Sequence, residues 1–173
     1  MSPDNILFRL PDAEATRIRE VFDALAAAGF PRQEQPPHVT VTFAPEMGEQ
    51  AVRRAGELLA PLTPVEFRRT GVAVFGTKSK QTVTWLLDAP HDVQAAAREV
   101  SAANPDGRGP EWTPHLTVGL RLPRRMVGDY IAALDEITPP TLKTFTGQRV
   151  VWRRPRLGDE VELEHATGRP RPR

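Results

Sequence analysis

The sequence predicts a mixed fold, α/β or α+β, because apolar patterns of two different periods alternate along it. Short apolar or alternating runs that end at proline or glycine read as strands. Runs with apolar residues three and four apart read as helices. At 173 residues, with 39% hydrophobic and 26% charged side chains, the chain can build one sizeable domain or two small lobes sharing a core.

Residues 5–10 are apolar, stop at Pro11 and form the first expected strand. Asp12 stands where it could cap a helix carrying Ile18, Val21, Phe22 and Leu25, which Gly29 ends. Pro36 and Pro37 lead into a strand over 38–43. A second helical pattern holds Val52, Ala55, Leu59 and Leu62 before Pro64. Strands over 65–76 and 82–88 flank a polar turn bearing Lys78 and Lys80. From His91 to about Ala103 the helical spacing returns with Val93, Ala96, Ala97 and Val100. Residues 104–112, NPDGRGPEW, are rich in turn formers and read as a loop. A strand over 115–122 follows, then a helix over 123–137 with proline near its first turn and Val127, Tyr130, Ile131 and Leu134 on its apolar side. Segments 141–154 and 159–166 read as closing strands. No low-complexity linker divides the chain, so 1–165 is expected to be a single domain and 166–173 a basic, flexible tail.

Composition narrows the function. No apolar run approaches the length of a membrane span, and the first residues lack the basic start and apolar core of an export signal. There is no cysteine, hence no disulfide and no thiolate metal site. These features fit a cytoplasmic protein, and nothing indicates an obligate partner, so a monomer is expected. The net charge of +1 gives no global reason to bind duplex nucleic acid. All the cationic residues except Lys78, Lys80 and Lys143 are arginine. A high-GC coding bias produces that pattern, yet the planar guanidinium also suits phosphate.

The strand at 38–43 reads HVTVTF. His38, Thr40 and Thr42 alternate with Val39, Val41 and Phe43, so one face of the strand is polar. The chain repeats this at 114–118, where Pro114-His115-Leu116-Thr117-Val118 matches Pro37-His38-Val39-Thr40-Val41. Period two puts His115, Thr117, Gly119 and Arg121 on one face. A third match, His165-Ala166-Thr167, lacks the preceding proline and the apolar continuation and reads as surface. His91 lacks the pattern.

The paired HVTV and HLTV motifs resemble those of the two-histidine (2H) phosphoesterase superfamily, which includes bacterial 2′-5′ RNA ligase-like proteins and RNA 2′,3′-cyclic phosphodiesterases. The element order is similar to theirs over roughly residues 4 to 165. The resemblance implies an α+β, two-lobed fold in which two pseudo-symmetric, antiparallel-rich sheets, backed by helices, face a central cleft. It implies His38 as proton donor and His115 as proton acceptor, with Thr40 and Thr117 holding the phosphate.

The chemistry agrees with such a site. Hydrolysis of a cyclic phosphodiester takes a proton from water on one side of phosphorus and gives one to a ribose oxygen on the other. Two histidines from opposing strands can serve both needs, and two hydroxyls can donate to the non-bridging oxygens. Neither metal nor cofactor enters this scheme. Arg121 is a candidate phosphate ligand, and Trp112 a candidate surface for stacking a base. The expected partner is a nucleotide or RNA end carrying a cyclic phosphate. Three other readings stay open: a module that binds a nucleotide or RNA end with little turnover, 2′-5′ phosphodiesterase or RNA ligase activity, and a metal site, for which two histidines without nearby acidic or thiol ligands make a poor set.

Overall fold

The computed structural model describes residues 2–164; His165 and the tail at 166–173 lie outside the described residues. The elements run β1 (Asp4–Arg9), α1 (Asp12–Ala27), β2 (His38–Ala44), α2 (Glu49–Leu58), β3 (Val65–Phe75), β4 (Lys80–Asp88), α3 (His91–Ala102), β5 (His115–Pro123), α4 (Val127–Ile137), β6 (Thr144–Gly147), β7 (Arg149–Arg154) and β8 (Asp159–Glu162).

The strands form one antiparallel sheet in the order β6-β3-β4-β5-β2-β1-β7-β8. It divides into two four-stranded halves that meet where β2 pairs β5, through Val39 opposite Leu116. The two sheets expected of a two-lobed α+β fold are these halves. Helices α2 and α3 pack together and back the β2–β1–β7 side, while α1 and α4 pack together and α4 backs β4 and β5. The outer faces bury a continuous apolar core that includes Ile6, Phe8, Phe22, Phe67, Trp85, Phe145 and Tyr130. Phe8 and Phe67 meet edge to face, and Trp85 stacks on Phe145, arrangements that add to the area buried.

Three local expectations need correction. Asp12 does not cap α1: Pro11 holds the cap position without a side-chain hydrogen bond, and Asp12 and Glu14 sit in the first turn, where their charge complements the helix dipole. Glu14 also accepts from the backbone N–H and the hydroxyl of Thr146, both at 2.7 Å, which pins α1 to the β6 edge. The second helix stops at Leu58, and Leu62 belongs to a separate single turn of 3-10 helix. Segment 141–154 breaks at Gln148 into two strands in opposite halves, and Gln148 N–H donates to the Arg9 carbonyl at 2.8 Å.

Period two also fails inside β5. Opposite β4, Gln81 pairs Leu122, Val83 pairs Gly119 and Thr84 pairs Thr117, so β5 holds an extra residue at each step. Gly119 turns inward there: a Cβ on it would lie 2.7 Å from both Leu122 Cδ1 and Tyr130 Cε1. The Tyr130 hydroxyl donates to the Val118 carbonyl at 2.5 Å, so α4 holds this bulged segment directly. Gly119→Ala should therefore lower unfolding stability by about 1–3 kcal/mol. A reduced urea midpoint at unchanged m-value would be the signature; an unchanged midpoint would mean that β5 and α4 have room to separate.

Candidate active site

Each motif histidine follows a proline, and the residue before a proline is held extended. In both copies this aims a backbone carbonyl at the imidazole. His38 Nδ1 lies 2.7 Å from the Pro36 oxygen and His115 Nδ1 lies 2.7 Å from the Thr113 oxygen. A carbonyl only accepts, so each Nδ1 carries its proton and donates it. Each Nε2 is thereby the unprotonated ring nitrogen, able to accept a proton.

The seam places the two motifs together. Val39 and Leu116 are paired and fully buried. One step either way along the antiparallel register sets His38 beside Thr117, and Thr40 beside His115, all half-buried on the face opposite the core. Four groups that are far apart in sequence thus share one patch, and each histidine has the other motif's threonine as neighbour. Among the described residues neither threonine hydroxyl is engaged by a protein hydrogen bond, so both can donate to an oxyanion.

Both imidazoles are biased toward the neutral form. Burial is the main cause for His38 and lowers its pKa to about 4; the carbonyl bond to Pro36 acts against this, and the charges of Arg9, Arg153 and His115 add to it. Burial likewise lowers His115, opposed by its bond to Thr113 and reinforced by Arg108. Arginines therefore flank the pair on both sides.

The cleft beside them has a volume of about 400 Å³. Thr40 and His115 lie in it, with Phe75 against His115 at 4.9 Å between ring centres. Arg108 covers Phe43 with its guanidinium 5.0 Å from the ring centre. The loop that brings Arg108 is tied to β2, since Asn104 donates to Thr42 Oγ1 at 2.8 Å and to the Phe43 carbonyl at 3.1 Å. This bond consumes Thr42, which is buried, and the bulge at Val41 ends the polar face at Thr40.

One sequence expectation lands elsewhere, and a second residue reaches the cleft with its polar group already engaged. Arg121 does not share the face of His115: the extra residues in β5 break the alternation, Arg121 is exposed with φ of 55°, and Leu120 lines the cleft instead. Trp112 reaches the cleft wall, but its indole N–H donates to the Thr40 carbonyl at 2.9 Å and its ring meets Phe67 edge-on. Its evident work is to anchor the loop and hold the backbone of Thr40. Sequence reading missed Arg9, Phe75, Phe43 and Arg108. Arg9 lies opposite His38 on β1, and no sequence signal marks that pairing. Phe43 appeared in the motif strand, yet strict alternation assigned it to the core. Among the described residues no group of three or more His, Asp or Glu side chains is placed to hold a metal ion.

Antiparallel half-sheets thus meet at a seam that sets a histidine and a threonine from each on one face of the sheet, with Thr40 and His115 lining the cleft. The family model described as the 2′-5′ RNA ligase superfamily matches residues 9–159, and the chain belongs to that superfamily. Its fold is similar to two solved structures of Usb1 from Kluyveromyces marxianus. The one with uridine monophosphate is 13% identical, covers 93% of this chain and 97% of that chain, and gives a TM-score of 0.52. The second is 12% identical, with 94% and 97% covered and a TM-score of 0.51. No curated protein sequence matches the chain. No helix among the described residues is long and apolar enough to cross a membrane.

The histidine electrostatics have a measurable consequence. The folded pKa of His38 lies below the 6.5 of an unperturbed imidazole, so between those values the unfolded chain binds more protons. Its contribution to stability is whole above about pH 6.5 and is lost as pH falls through 4. A histidine Cε1–H NMR titration should give His38 a midpoint near 4. A midpoint at 6 or above would show that its ring is hydrated.

Proposed function

We propose that the chain is a phosphodiesterase that hydrolyses a 2′,3′-cyclic phosphate, at an RNA end or on a nucleotide, by two-histidine general acid–base catalysis without a metal. The observation that supports this most is the matched tautomer: two carbonyl-held imidazoles on one face of the sheet, each with Nε2 unprotonated and with the other motif's threonine beside it. Superfamily membership points the same way.

In the reaction, Nε2 of one imidazole removes a proton from water as the water oxygen bonds to phosphorus. The bond from phosphorus to one ribose oxygen breaks on the far side, and the other imidazolium supplies that oxygen with a proton. We assign His38 as donor and His115 as acceptor. Thr40 and Thr117 donate to the non-bridging oxygens as their charge grows. The anionic substrate opposes the arginines and raises both imidazole pKa values on binding, which gives the donor its proton near neutral pH.

The test is hydrolysis of 2′,3′-cyclic mononucleotides and a cyclic-phosphate-ended RNA in EDTA. Each proton transfer contributes roughly 10²- to 10⁴-fold, so His38→Ala and His115→Ala should each lose at least that much, with a bell-shaped pH profile in the wild type. Thr40→Val or Thr117→Val should lower kcat on the order of 10²-fold or more. A nucleoside 3′-(p-nitrophenyl phosphate) assigns the roles, because its leaving group needs little protonation: His38→Ala should regain much of its loss on that ester and His115→Ala should not. Full activity in His38→Ala, or activity abolished by EDTA, would sink the mechanism. Wild-type turnover confined to 2′-5′ linkages would move the substrate assignment, and binding without turnover on every substrate would make the cleft a recognition site.

A further inference from the structure

One feature of the cleft face is used neither by the acid–base scheme nor by the cleft beside His115. Arg9 lies opposite His38 on β1, and Arg149 lies opposite Arg9 on β7. Two residues further along β7 is Val151, opposite Leu7, and two beyond that is Arg153, opposite Asn5, which borders the cleft. Leu7 and Val151 are fully buried yet stand apart from the main core, whereas their chain neighbours Ile6, Phe8 and Val150 belong to it. Alternation therefore puts Leu7, Val151 and the three arginines on the cleft side of the sheet.

This group is built rather than incidental. Glu160, on β8 opposite Arg153, accepts from Arg9 Nε through both carboxylate oxygens at 3.0 Å and also binds Arg9 Nη2. Arg9 is held with only 14% of its side chain exposed. Glu162 faces Arg149 at 3.6 Å. Both carboxylates are thereby committed. Arg153 has no carboxylate within ion-pair reach among the described residues, and Arg9 Nη1 has no hydrogen-bond partner among them. Three guanidinium groups therefore face two carboxylates: Arg153 lies in the field of Glu160 without pairing it directly, and is close enough to His38 to depress its protonation together with Arg9.

We propose that Arg153, with Arg9 and Arg149, seats a second phosphate of the substrate. The occupant is an oligonucleotide, and its backbone runs from the scissile phosphate across β1 towards β7. Neighbouring strands lie about 4.8 Å apart, so this seat is two strands from His38, with Arg153 four residues further along β7, and is beyond the reach of the scissile phosphate itself. A 2′,3′-cyclic end has no nucleotide beyond it, so the second phosphate is the one on the 5′ side of the terminal nucleoside. The inference rests on the phosphodiesterase reading and narrows its substrate from a nucleotide or RNA end to an RNA strand.

Three substrates with the same terminal base test this: uridine 2′,3′-cyclic phosphate, its 5′-phosphorylated form, and the dinucleotide ApU ending in a 2′,3′-cyclic phosphate. The quantity to read is the ratio of kcat/KM between the larger substrates and the nucleoside, because any effect of an arginine on His38 cancels in it. Wild type should favour the dinucleotide about tenfold or more, the worth of one charge-assisted hydrogen bond. Arg153→Gln should remove most of that preference, and Arg149→Gln, at a half-exposed position that tolerates change, should reduce it. An equal gain from the 5′-phosphorylated nucleoside would uphold the phosphate seat and overturn the oligonucleotide as its required occupant. No preference in wild type, or a preference untouched in both variants, would overturn the seat. If nothing is hydrolysed, the phosphodiesterase reading fails by itself. The same ratio is then read from calorimetric Kd values for ApU 3′-phosphate against uridine 3′-phosphate, with the slope of log Kd against log salt falling in Arg153→Gln. An unchanged ratio there would overturn the seat independently of catalysis.

Discussion

The pairing of Val39 with Leu116 is the constraint on which the rest depends. Both side chains are fully buried, and around this one antiparallel contact the two half-sheets join. Because side chains alternate across a strand, burying these two turns the flanking histidines and threonines to the opposite face together. A seam so short cannot hold two lobes by its own ladder. Other bonds cross it: Trp112 to the Thr40 carbonyl, and Gln33 Oε1 accepting from Leu120 N–H. Gln33 is itself buried and orders the loop that leads to His38. The parts that position the cleft are therefore the same parts that keep the halves in contact.

The prolines of the motifs have a specific physical role. A proline offers no backbone N–H and keeps its predecessor extended, and in both copies the carbonyl of that predecessor fixes the imidazole tautomer. One backbone device thus orients both imidazoles without recruiting a carboxylate. A carboxylate partner would hold a histidine protonated at higher pH. A carbonyl orients it with a far weaker pull, and burial then biases both rings toward the neutral form. The arginines strengthen that bias, and the proposed anionic substrate would oppose them, coupling occupancy to protonation.

Irregularities in the strands shape the site as much as the regular pairing does. The bulge at Val41 ends the polar face after Thr40 and frees Thr42 to anchor the loop bearing Arg108. The extra residues in β5 turn Gly119 against Tyr130 and send Leu120, not Arg121, into the cleft. Bulges re-aim side chains in this way wherever they interrupt a ladder.

Element types and order were legible in the sequence because hydrophobic periods of two and of about 3.6 are local properties, and proline and glycine mark most of their ends. The two motifs were legible because an identical Pro-His-x-Thr step occurs twice, each time opening a strand. Other features depend on which strands become neighbours. Segment 141–154 read as one closing strand in sequence, and only the sheet sends Phe145 to one half and Val150 to the other. Arg9, Arg149 and Arg153 were ordinary strand-end arginines until pairing set Arg9 opposite both His38 and Arg149. Local composition determines which faces of a strand are apolar. Register and bulges, set by contacts between residues distant in sequence, decide what those faces meet.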